Sequence, residues 1–590
     1  MRSPACANLL SAFCSLSGSE RTMGDATILL LTPDDDLARG VGDGYGTTFL
    51  AFWASPELAG CISRRTLARQ ISDEIAPPFP QMIEDQYAAA RAILSRIGDE
   101  CAQAVFLAKT ETYLAHCLMT RLAALNAFRA LESRFGSGAT VSMFTGGVFG
   151  SVFAQINDHL GRPFRISPRP GSGRRASRSR ALERLVRESV ASRDPASLVW
   201  TPLEVLDQTF GLRSHLWRPA RSDEKVAFFS SYSVLSQNLA LHAARTPVRP
   251  HWLVNGRSGA KGVPPSDPHS YLWQWGRARR RPADLAHLAR AVVSGIHGAP
   301  EVGGVPMRVL AWGKPTLEEE LISILPGLLA QSDLMEDFLD LARPKEIWVA
   351  NQWSVEGMLL DLARARGIRT VQVQHGMLEE YYAFSPVYSD RFLLWGEFWK
   401  ELASPAEQHR IEVVDPGVEV AEASRTSQNR TRRHVAFFTA PPTLVPLWNP
   451  AALLWESATL IERLIDAGMT VTVRVHPMDR INTWRSACRR VAGSFPDALR
   501  FEKGGPLVPL LERTDVAIAF GSTVFLNCLA SGIPAISLGW YPLMWRRQLE
   551  QGGFIHFADS IEESVRLAKD LDRGSYTAPD LSPLLAGRSA

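Results

Sequence analysis

Short apolar runs alternate with amphipathic stretches over most of the chain, and the alternation becomes regular after residue 225. The runs that predict buried strands lie at 225–233, 251–256, 308–312, 346–351, 370–375 and 391–396. Helical spacing of apolar residues separates several of them, most clearly at 316–342 and 354–367. Strands that are apolar on both faces and alternate with helices indicate a parallel sheet covered on both sides.

A second series of the same kind begins at residue 434 and predicts a doubly wound sheet of about 150 residues. Its strands are expected at 434–440, 470–477, 498–503, 516–520, 534–539 and 553–559. Its helices are expected at 450–467, 481–493, 507–513, 523–530 and 560–571. Ligands of open α/β sheets bind beyond the carboxyl ends of the strands, so two such sheets can face each other across a ligand cleft.

The chain before residue 225 is less regular. A strand at 26–32 leads into a glycine-rich loop at 33–48 that lacks the spacing of a phosphate-binding motif. Two long helices are predicted within 81–134, then a strand at 139–147 and a helix at 148–160. The whole pattern predicts a disordered extension at 1–22, an α/β and helical region with a basic linker at 23–188, and two Rossmann-like domains at 189–410 and 411–590.

The composition is that of an ordinary globular protein, with 46% apolar and 21% charged residues. A length of 590 residues predicts roughly three to four domain-sized units. No apolar run approaches the ~18 residues of a membrane span. The seven cysteines form no CxxC pair and show no zinc-ligand spacing, so neither a disulfide framework nor a metal site is predicted. We therefore expect a cytoplasmic protein.

The formal charge of +3 gives no general attraction to nucleic acid, but the arginines are unevenly distributed. Nine arginines and one acid lie between Arg162 and Arg187, and a second cluster spans 277–281. Segments of this kind most often form solvated linkers, and that interpretation is favoured. The alternative is peripheral contact with an anionic membrane on its inner face. Nucleic-acid binding is not expected, because no recognition motif accompanies the charge.

Polar residues stand at the carboxyl ends of three predicted strands, where a cleft would lie. In VQVQHGM the strand ends at Gln374 and His375, and Gly376 lets the chain turn at once. A histidine in this position can take a proton from a hydroxyl or bind a phosphate. The alternative without chemistry is a histidine that only caps the strand.

The second strand end is VTVRVHP, in which Arg474 and His476 lie on one face and Pro477 stops strand pairing. Donors at fixed positions suit a phosphate or a diphosphate. The strand at 434–440 belongs to the same predicted sheet, and its Thr439 is a further candidate for the cleft lining.

The third strand end is FGSTVFLN. Gly521, Ser522 and Thr523 come between a strand and a helix, so two hydroxyls and backbone N–H groups meet at a helix N-terminus. Such a place suits an anion, although Ser–Thr capping is as often purely structural.

Taken together, VQVQHGM, YSDRFLLWGE, RVHP and FGSTVFLNCLASGIPAISLG resemble the GT-B glycosyltransferases of bacterial surface polysaccharides. The nearest groups are the capsule Kdo transferases, the bacterial polysialyltransferases and the CDP-glycerol glycerophosphotransferases of teichoic acid synthesis. The resemblance implies two Rossmann-like domains facing across a cleft, with an additional helical N-terminal region. It also implies that 189–410 presents the acceptor and 411–590 holds a nucleotide-activated sugar.

The resemblance further implies roles for the residues at the strand ends. His476 and Pro477 match the His-Pro motif that holds the phosphate of the donor. Ser522 and Thr523 match the pair that binds donor phosphate, and His375 matches a catalytic base. The nucleotide-sugar is a co-substrate, and neither a further cofactor nor a metal ion is implied, since arginines and helix dipoles can neutralise a leaving diphosphate.

One position departs from the family pattern. Many GT-B enzymes have a glutamate four residues after the Ser/Thr pair, where it binds a ribose, and this chain has Asn527 there. The Asn527 amide still hydrogen-bonds a hydroxyl, but without a charge.

Three functions follow from these observations. The leading hypothesis is a glycosyltransferase that extends a polysaccharide or a lipid-linked glycan from a nucleotide-sugar. The second is an enzyme like the nucleotide-sugar 2-epimerases, which would need a further carboxylate-rich site that the sequence does not reveal. The third is a degenerate GT-B scaffold without activity, which Asn527 favours and the intact histidines oppose.

Overall fold

The protein is described from a computed structural model. The residues it describes are 27–31, 47–51, 88–90, 92–93, 107–135, 137–144, 147–169, 226–231, 233–243, 250–255, 257–260, 262–276, 291, 293–313, 316–352, 355–376, 387–415, 420, 432–440, 450–477, 479–492, 497–538, 546–571 and 576–586. The predicted extension at 1–22, the arginine cluster at 277–281 and most of the basic segment at 162–187 lie outside them.

The strands within the described residues form three parallel sheets. The first sheet contains β1 (Thr27–Leu31), β2 (Thr47–Ala51), β3 (Thr140–Phe144) and β4 (Arg165–Arg169). The second sheet contains β5 (Val226–Ser230), β6 (His251–Val254), β7 (His269–Tyr271), β8 (Glu346–Val349), β9 (Arg369–Val373), β10 (Arg391–Leu394) and β11 (Ile411–Val413). The third sheet contains β12 (His434–Phe438), β13 (Thr470–Val475), β14 (Leu499–Lys503), β15 (Val516–Ala519), β16 (Ala535–Leu538) and β17 (His556–Ala558).

Helices connect these strands and cover the sheets. Before and within the second sheet they are α1 (Leu107–Phe135), α2 (Val148–His159), α3 (Ser233–Ala243), α4 (Arg257–Ala260), α5 (Met307–Ala311), α6 (Leu317–Ala342), α7 (Val355–Ala365) and α8 (Glu397–Glu401). Within the third sheet they are α9 (Pro450–Asp466), α10 (Ile481–Ala492), α11 (Val508–Leu511), α12 (Val524–Ala530), α13 (Arg546–Gln551) and α14 (Ile561–Asp570). None of the described helices is both long enough and apolar enough to cross a membrane.

The second and third sheets are doubly wound. Their orders are β7-β6-β5-β8-β9-β10-β11 and β14-β13-β12-β15-β16-β17, which both follow the 3-2-1-4-5-6 pattern of dinucleotide-binding domains. The predicted fold class is therefore confirmed, namely α/β and GT-B-like with two Rossmann-like domains. The strand order reverses between β5 and β8 and again between β12 and β15. Ligands of such sheets usually bind beside these reversals.

The N-terminal region has a parallel sheet of its own, ordered β2-β1-β3-β4, and its helices α1 and α2 pack against each other. Its strand β2 lies at the end of the predicted glycine-rich loop, and β4 lies inside the predicted basic linker. Asn157 of α2 explains the second difference, because its side chain accepts from Phe164 N at 2.9 Å and donates to Phe164 O at 3.1 Å. This pair of bonds fixes the chain just before β4, and the strand pairs despite its arginines.

The strand predicted at 308–312 is wrong, since these residues belong to helix α5. Met307, Leu310 and Ala311 are buried with the spacing of one helix face, and α5 packs on α1 and α2. A Cβ added to Gly313 would lie 2.2 Å from Val152 of α2, so the chain leaves the helix in close contact with its neighbour. An apolar run of five residues fits either a strand or a helix, and here the packing partners decide.

Most other predicted elements agree with the structure to within a few residues, but two further short strands, besides β2 and β4, were not predicted. β7 and β11 have three residues each and extend the two edges of the second sheet. The predicted domain boundary at 410/411 falls directly before β11, which pairs with β10. Strand β11 therefore belongs to the sheet of the preceding domain.

The segment 576–586, which follows the third sheet in the chain, returns to the second one. Phe398 N donates to Pro583 O at 2.9 Å, and Trp399 Nε1 donates to Leu584 O at 3.1 Å. Ala586 N donates to Trp395 O at 2.6 Å, at the carboxyl end of β10. The returning segment, residues 576–586, is thus hydrogen-bonded to the domain of the second sheet.

Candidate functional site

The carboxyl ends of the second and third sheets meet at Gly376 and Thr523. Gly376 follows β9 and has a φ of 75°, a left-handed conformation that favours glycine. A Cβ on Gly376 would lie 2.8 Å from Thr523 Oγ1, which precedes α12 in the third sheet's domain. The two strand ends that the sequence analysis singled out separately are therefore in close contact across the domains.

His375 is half-buried at the end of β9, and its ring forms a hydrogen bond with helix α3. Asn238 Nδ2 lies 2.8 Å from His375 Nδ1. Burial, and then the nearby charge of His476, lower the pKa of His375 to about 4. The imidazole is therefore neutral at neutral pH, and it sits where groups of both domains approach it.

Gln374 is buried, and its amide forms hydrogen bonds within the domain of the second sheet. Its Nε2 donates to Gly376 O at 2.8 Å, and its Oε1 accepts from Trp395 N at 2.8 Å. These bonds join the turn after β9 to the end of β10. Gln374 was predicted to line the cleft, and in the structure it shapes the turn that carries His375.

His476 and Thr439 lie together at the carboxyl edge of the third sheet. His476 N donates to Thr439 Oγ1 at 2.9 Å, which joins the ends of β13 and β12. Burial, and then the charge of Lys503, lower the pKa of His476 to about 4. Pro477 follows as an exposed residue. This edge thus carries a second neutral imidazole and a hydroxyl near the β12–β15 reversal.

Arg474 is placed differently from His476. Its guanidinium lies 3.7 Å from Glu502 of β14 and donates to Gly505 O. Arg513 also pairs with Glu502, so the three side chains form a network at the β14 side of the sheet. The charge of Arg474 is therefore paired with Glu502.

Gly521, Ser522 and Thr523 form the turn between β15 and α12. Gly521 has a φ of 25°, and Ser522 O accepts from Phe525 N at 2.9 Å to begin the first turn. Ser522 Oγ lies 3.4 Å from Val524 N, and Thr523 shows no side-chain capping bond. The Thr523 hydroxyl instead approaches Gly376. Asn527 lies one turn further along α12 and is half-buried.

Two residues beside these strand ends were not predicted. One is Asn238 on α3, a helix whose sequence contains no motif that points to a functional site. The other is Glu356, a fully buried carboxylate at the start of α7. Its Oε1 accepts from Ser231 N at 3.0 Å and from Ser231 Oγ at 2.5 Å, across the β5–β8 reversal. The sequence feature that could have identified Glu356 is its position just after a strand end, in NQWSVEG.

The site brings several hydrogen-bond donors close together. Two neutral imidazoles from different domains lie close enough for the charge of His476 to affect His375. The Thr439 hydroxyl accepts from the backbone N of His476, and the Thr523 hydroxyl lies next to Gly376. Lys503 adds a positive charge close to His476. Such a set suits an anionic group with several oxygens, such as a diphosphate. Among the described residues, no three His, Cys, Asp or Glu side chains are arranged to hold a metal ion.

Comparisons with known proteins give structural neighbours only. No family model matches the sequence, and no curated protein matches it. Among the solved structures, UDP-GlcNAc 2-epimerase of Methanocaldococcus jannaschii in complex with UDP-GlcNAc and UDP is 11% identical, with a TM-score of 0.39, covering 60% of this chain and 95% of that chain. The calicheamicin glycosyltransferase CalG4 is 11% identical, with a TM-score of 0.37, covering 59% and 90%. MurG of Acinetobacter baumannii is 9% identical, with a TM-score of 0.37, covering 62% and 95%.

Proposed function

We propose that the protein is a nucleotide-sugar-dependent glycosyltransferase that extends a surface polysaccharide or a lipid-linked glycan. The observation that carries the proposal is the contact between the His375–Gly376 strand end and the His476–Thr523 side of the other domain. A transfer reaction needs two substrates held close together in a fixed orientation. Two doubly wound domains whose ligand-binding edges meet provide one surface for each.

The donor is proposed to lie on the third sheet. Its diphosphate would occupy the edge formed by Thr439, His476 and Thr523, next to the β12–β15 reversal where nucleotides bind in such folds. Asn527 would face the ribose. Protein donors would then stabilise the negative charge that develops on the leaving diphosphate, without a metal ion.

The acceptor is proposed to lie on the second sheet. Its hydroxyl must lose a proton as the new glycosidic bond forms, and His375 is the candidate base. An acceptor carried on a lipid would be met at a membrane surface, where the arginines of 162–187 could contact anionic head groups.

The test is a thermal-shift panel with CMP, CDP, UDP, GDP and dTDP. A nucleotide that binds the folded state raises the melting temperature by an amount set by its concentration and dissociation constant. One nucleotide should stabilise the wild type selectively and lose this effect in His476→Ala. His409→Ala is the matched control, since His409 is exposed on a short helical turn away from the strand ends named here. If all five nucleotides leave the melting temperature unchanged, the proposal fails.

A nucleotide-sugar 2-epimerase is the second candidate. The observation in its favour is Glu356. An epimerase would need a further carboxylate, and Glu356 is a buried carboxylate at the β5–β8 reversal that the sequence analysis did not find. An epimerase needs one substrate, whereas a transferase needs two. Proton NMR of a nucleotide-sugar incubated with the protein alone decides between them. Appearance of the C2 epimer without an acceptor would favour the epimerase over the transferase.

A further inference from the structure

Asn238 is the group that contacts the ring of His375 from the same domain. It lies on α3, directly after β5, and reaches the end of β9, two strands further across the sheet. The amide nitrogen of Asn238 is 2.8 Å from Nδ1 of the imidazole. Nδ1 is therefore committed to this contact.

The position of Asn238 is fixed by the packing of its helix. Leu235 and Leu239 are fully buried in the core below α3 and set the rotation of the helix about its axis. Ser236 Oγ lies 2.8 Å from Ser230 Oγ at the end of β5 and 2.7 Å from Gly259 O. Asn238 is consequently held at the carboxyl edge of the sheet and is not a mobile surface side chain.

The orientation of the Asn238 amide determines which nitrogen of the ring carries the proton. A neutral imidazole has one N–H and one acceptor nitrogen, and a primary amide nitrogen can only donate. With Asn238 Nδ2 at Nδ1, the Nδ1 atom accepts and the proton lies on Nε2. The low pKa of His375 agrees with a ring that stays neutral in this arrangement.

We propose that Asn238 is a positioning residue that sets the tautomer of His375 and thereby decides whether its Nε2 donates or accepts. With Asn238 Nδ2 toward the ring, Nε2–H is a donor, suited to an anionic oxygen. A base needs the opposite tautomer, in which Nδ1–H donates to an acceptor. The Asn238 amide supplies that acceptor when it turns over and presents Oδ1. Asparagine permits both states, whereas an aspartate would allow only the second.

The effect of the tautomer on the reaction rests on the proposed function, whereas the tautomer itself is inferred from the Asn238–His375 contact alone. We therefore test the tautomer first, by ¹⁵N NMR of the full-length protein labelled at histidine, without nucleotide. The His375 signals are assigned from their loss in His375→Gln. Protonated and unprotonated ring nitrogens have widely separated shifts, so the tautomer is read directly.

In the wild type the His375 signals should show a proton on Nε2. In Asn238→Asp the proton should move to Nδ1, because a carboxylate accepts only. In Asn238→Leu, which keeps the size but removes the hydrogen bond, the fraction of Nε2–H should fall to the intrinsic level of a free histidine. Gln237→Ala, an exposed neighbour on α3, should leave the spectrum unchanged. An Nδ1–H tautomer in the wild type, or the same tautomer in the wild type and in both Asn238 variants, would overturn the proposal.

Turnover then tests the consequence. With His375 as the base, Asn238→Asp should keep measurable turnover and move the acidic limb of its pH profile upward, since a neighbouring carboxylate raises the pKa of an imidazole. Asn238→Leu should lower kcat more than it changes KM for the nucleotide-sugar. If the NMR result holds but Asn238→Asp is inactive while folded, the role of the base, and not the role of Asn238, is refuted. Absence of any transfer reaction would refute the proposed function and leave the NMR result intact.

Discussion

A Cβ placed on Gly376 would come within 2.8 Å of the Thr523 hydroxyl, so the two domains leave no room for a methyl group at this point. We expect Gly376→Ala to lower stability by about 1–2 kcal/mol from its left-handed backbone alone. The contact with Thr523 adds a penalty that should appear as weaker nucleotide binding, because the domains must shift apart. Melting temperature and calorimetric affinity measure the two effects.

Gly367→Ala is the matched control for that variant. Gly367 has a φ of 69°, but a Cβ there would meet nothing within 4 Å. It should lose stability without losing nucleotide affinity. Thr523→Ala removes a proposed diphosphate contact, but it should weaken nucleotide binding less in Gly376→Ala than in the wild type, because it also relieves the overlap. Additive effects in this double-mutant cycle would contradict the close contact.

His476→Ala should weaken nucleotide binding. Loss of a charge-assisted hydrogen bond costs about 1.5–3 kcal/mol, which corresponds to a rise in Kd of about 10- to 150-fold. Isothermal calorimetry with the nucleotide selected by the thermal-shift panel checks this. Unchanged affinity would remove His476 from the donor site.

Protons should be taken up when a nucleotide-sugar binds. In the ligand-free protein, burial keeps the pKa of His375 and of His476 at about 4, so both rings are neutral. A diphosphate beside His476 favours the charged form of that ring and raises its pKa, whereas His375 stays neutral to act as the base. The complex then holds more protons than the free protein, and affinity should increase as the pH falls from about 8 to about 6.

Calorimetry in two buffers with different ionisation enthalpies measures this uptake. A nucleoside diphosphate sugar is the suitable ligand, because its diphosphate does not titrate in that range. The variant His476→Ala should bind without uptake. Equal apparent enthalpies in both buffers for the wild type would contradict the prediction.

His375→Ala separates three roles for this residue. If His375 is the base, turnover should fall by about 10²–10⁴ while nucleotide affinity stays near that of the wild type. If it binds phosphate, affinity and turnover should fall together. If it only caps β9, the melting temperature should fall by several degrees with unchanged activity per folded molecule. We expect the first result.

Asn527→Glu should fold normally and bind the nucleotide more tightly, because a carboxylate accepts two ribose hydroxyls more strongly than an amide does. Asn527→Gln has the length of glutamate without its charge and is the matched control. A folded Asn527→Glu protein that binds no nucleotide would show that Asn527 does not face the ribose.

The strand ends were predictable because long apolar strands stop abruptly at polar residues, as at His375 and His476. Their meeting across the domains was predictable only in outline, since it depends on how two sheets pack. Asn238 could not be predicted, because a polar residue on a helix shows its role only when its neighbour in space is known. The helix at 307–311 was mistaken for a strand for the same reason, as its apolar face is defined by α1 and α2.

The returning segment, residues 576–586, has a consequence for how the protein is made. The bond between Trp399 and Leu584 joins residues 185 positions apart, with the whole third sheet synthesised between them. The second sheet therefore emerges from the ribosome without the backbone partners that complete its β10 end. Contacts of such long sequence separation form slowly, because the long intervening chain must first be closed into a loop. The cleft consequently reaches its final geometry only after the third domain has been translated, so a nascent chain that stops earlier carries His375 without a finished site.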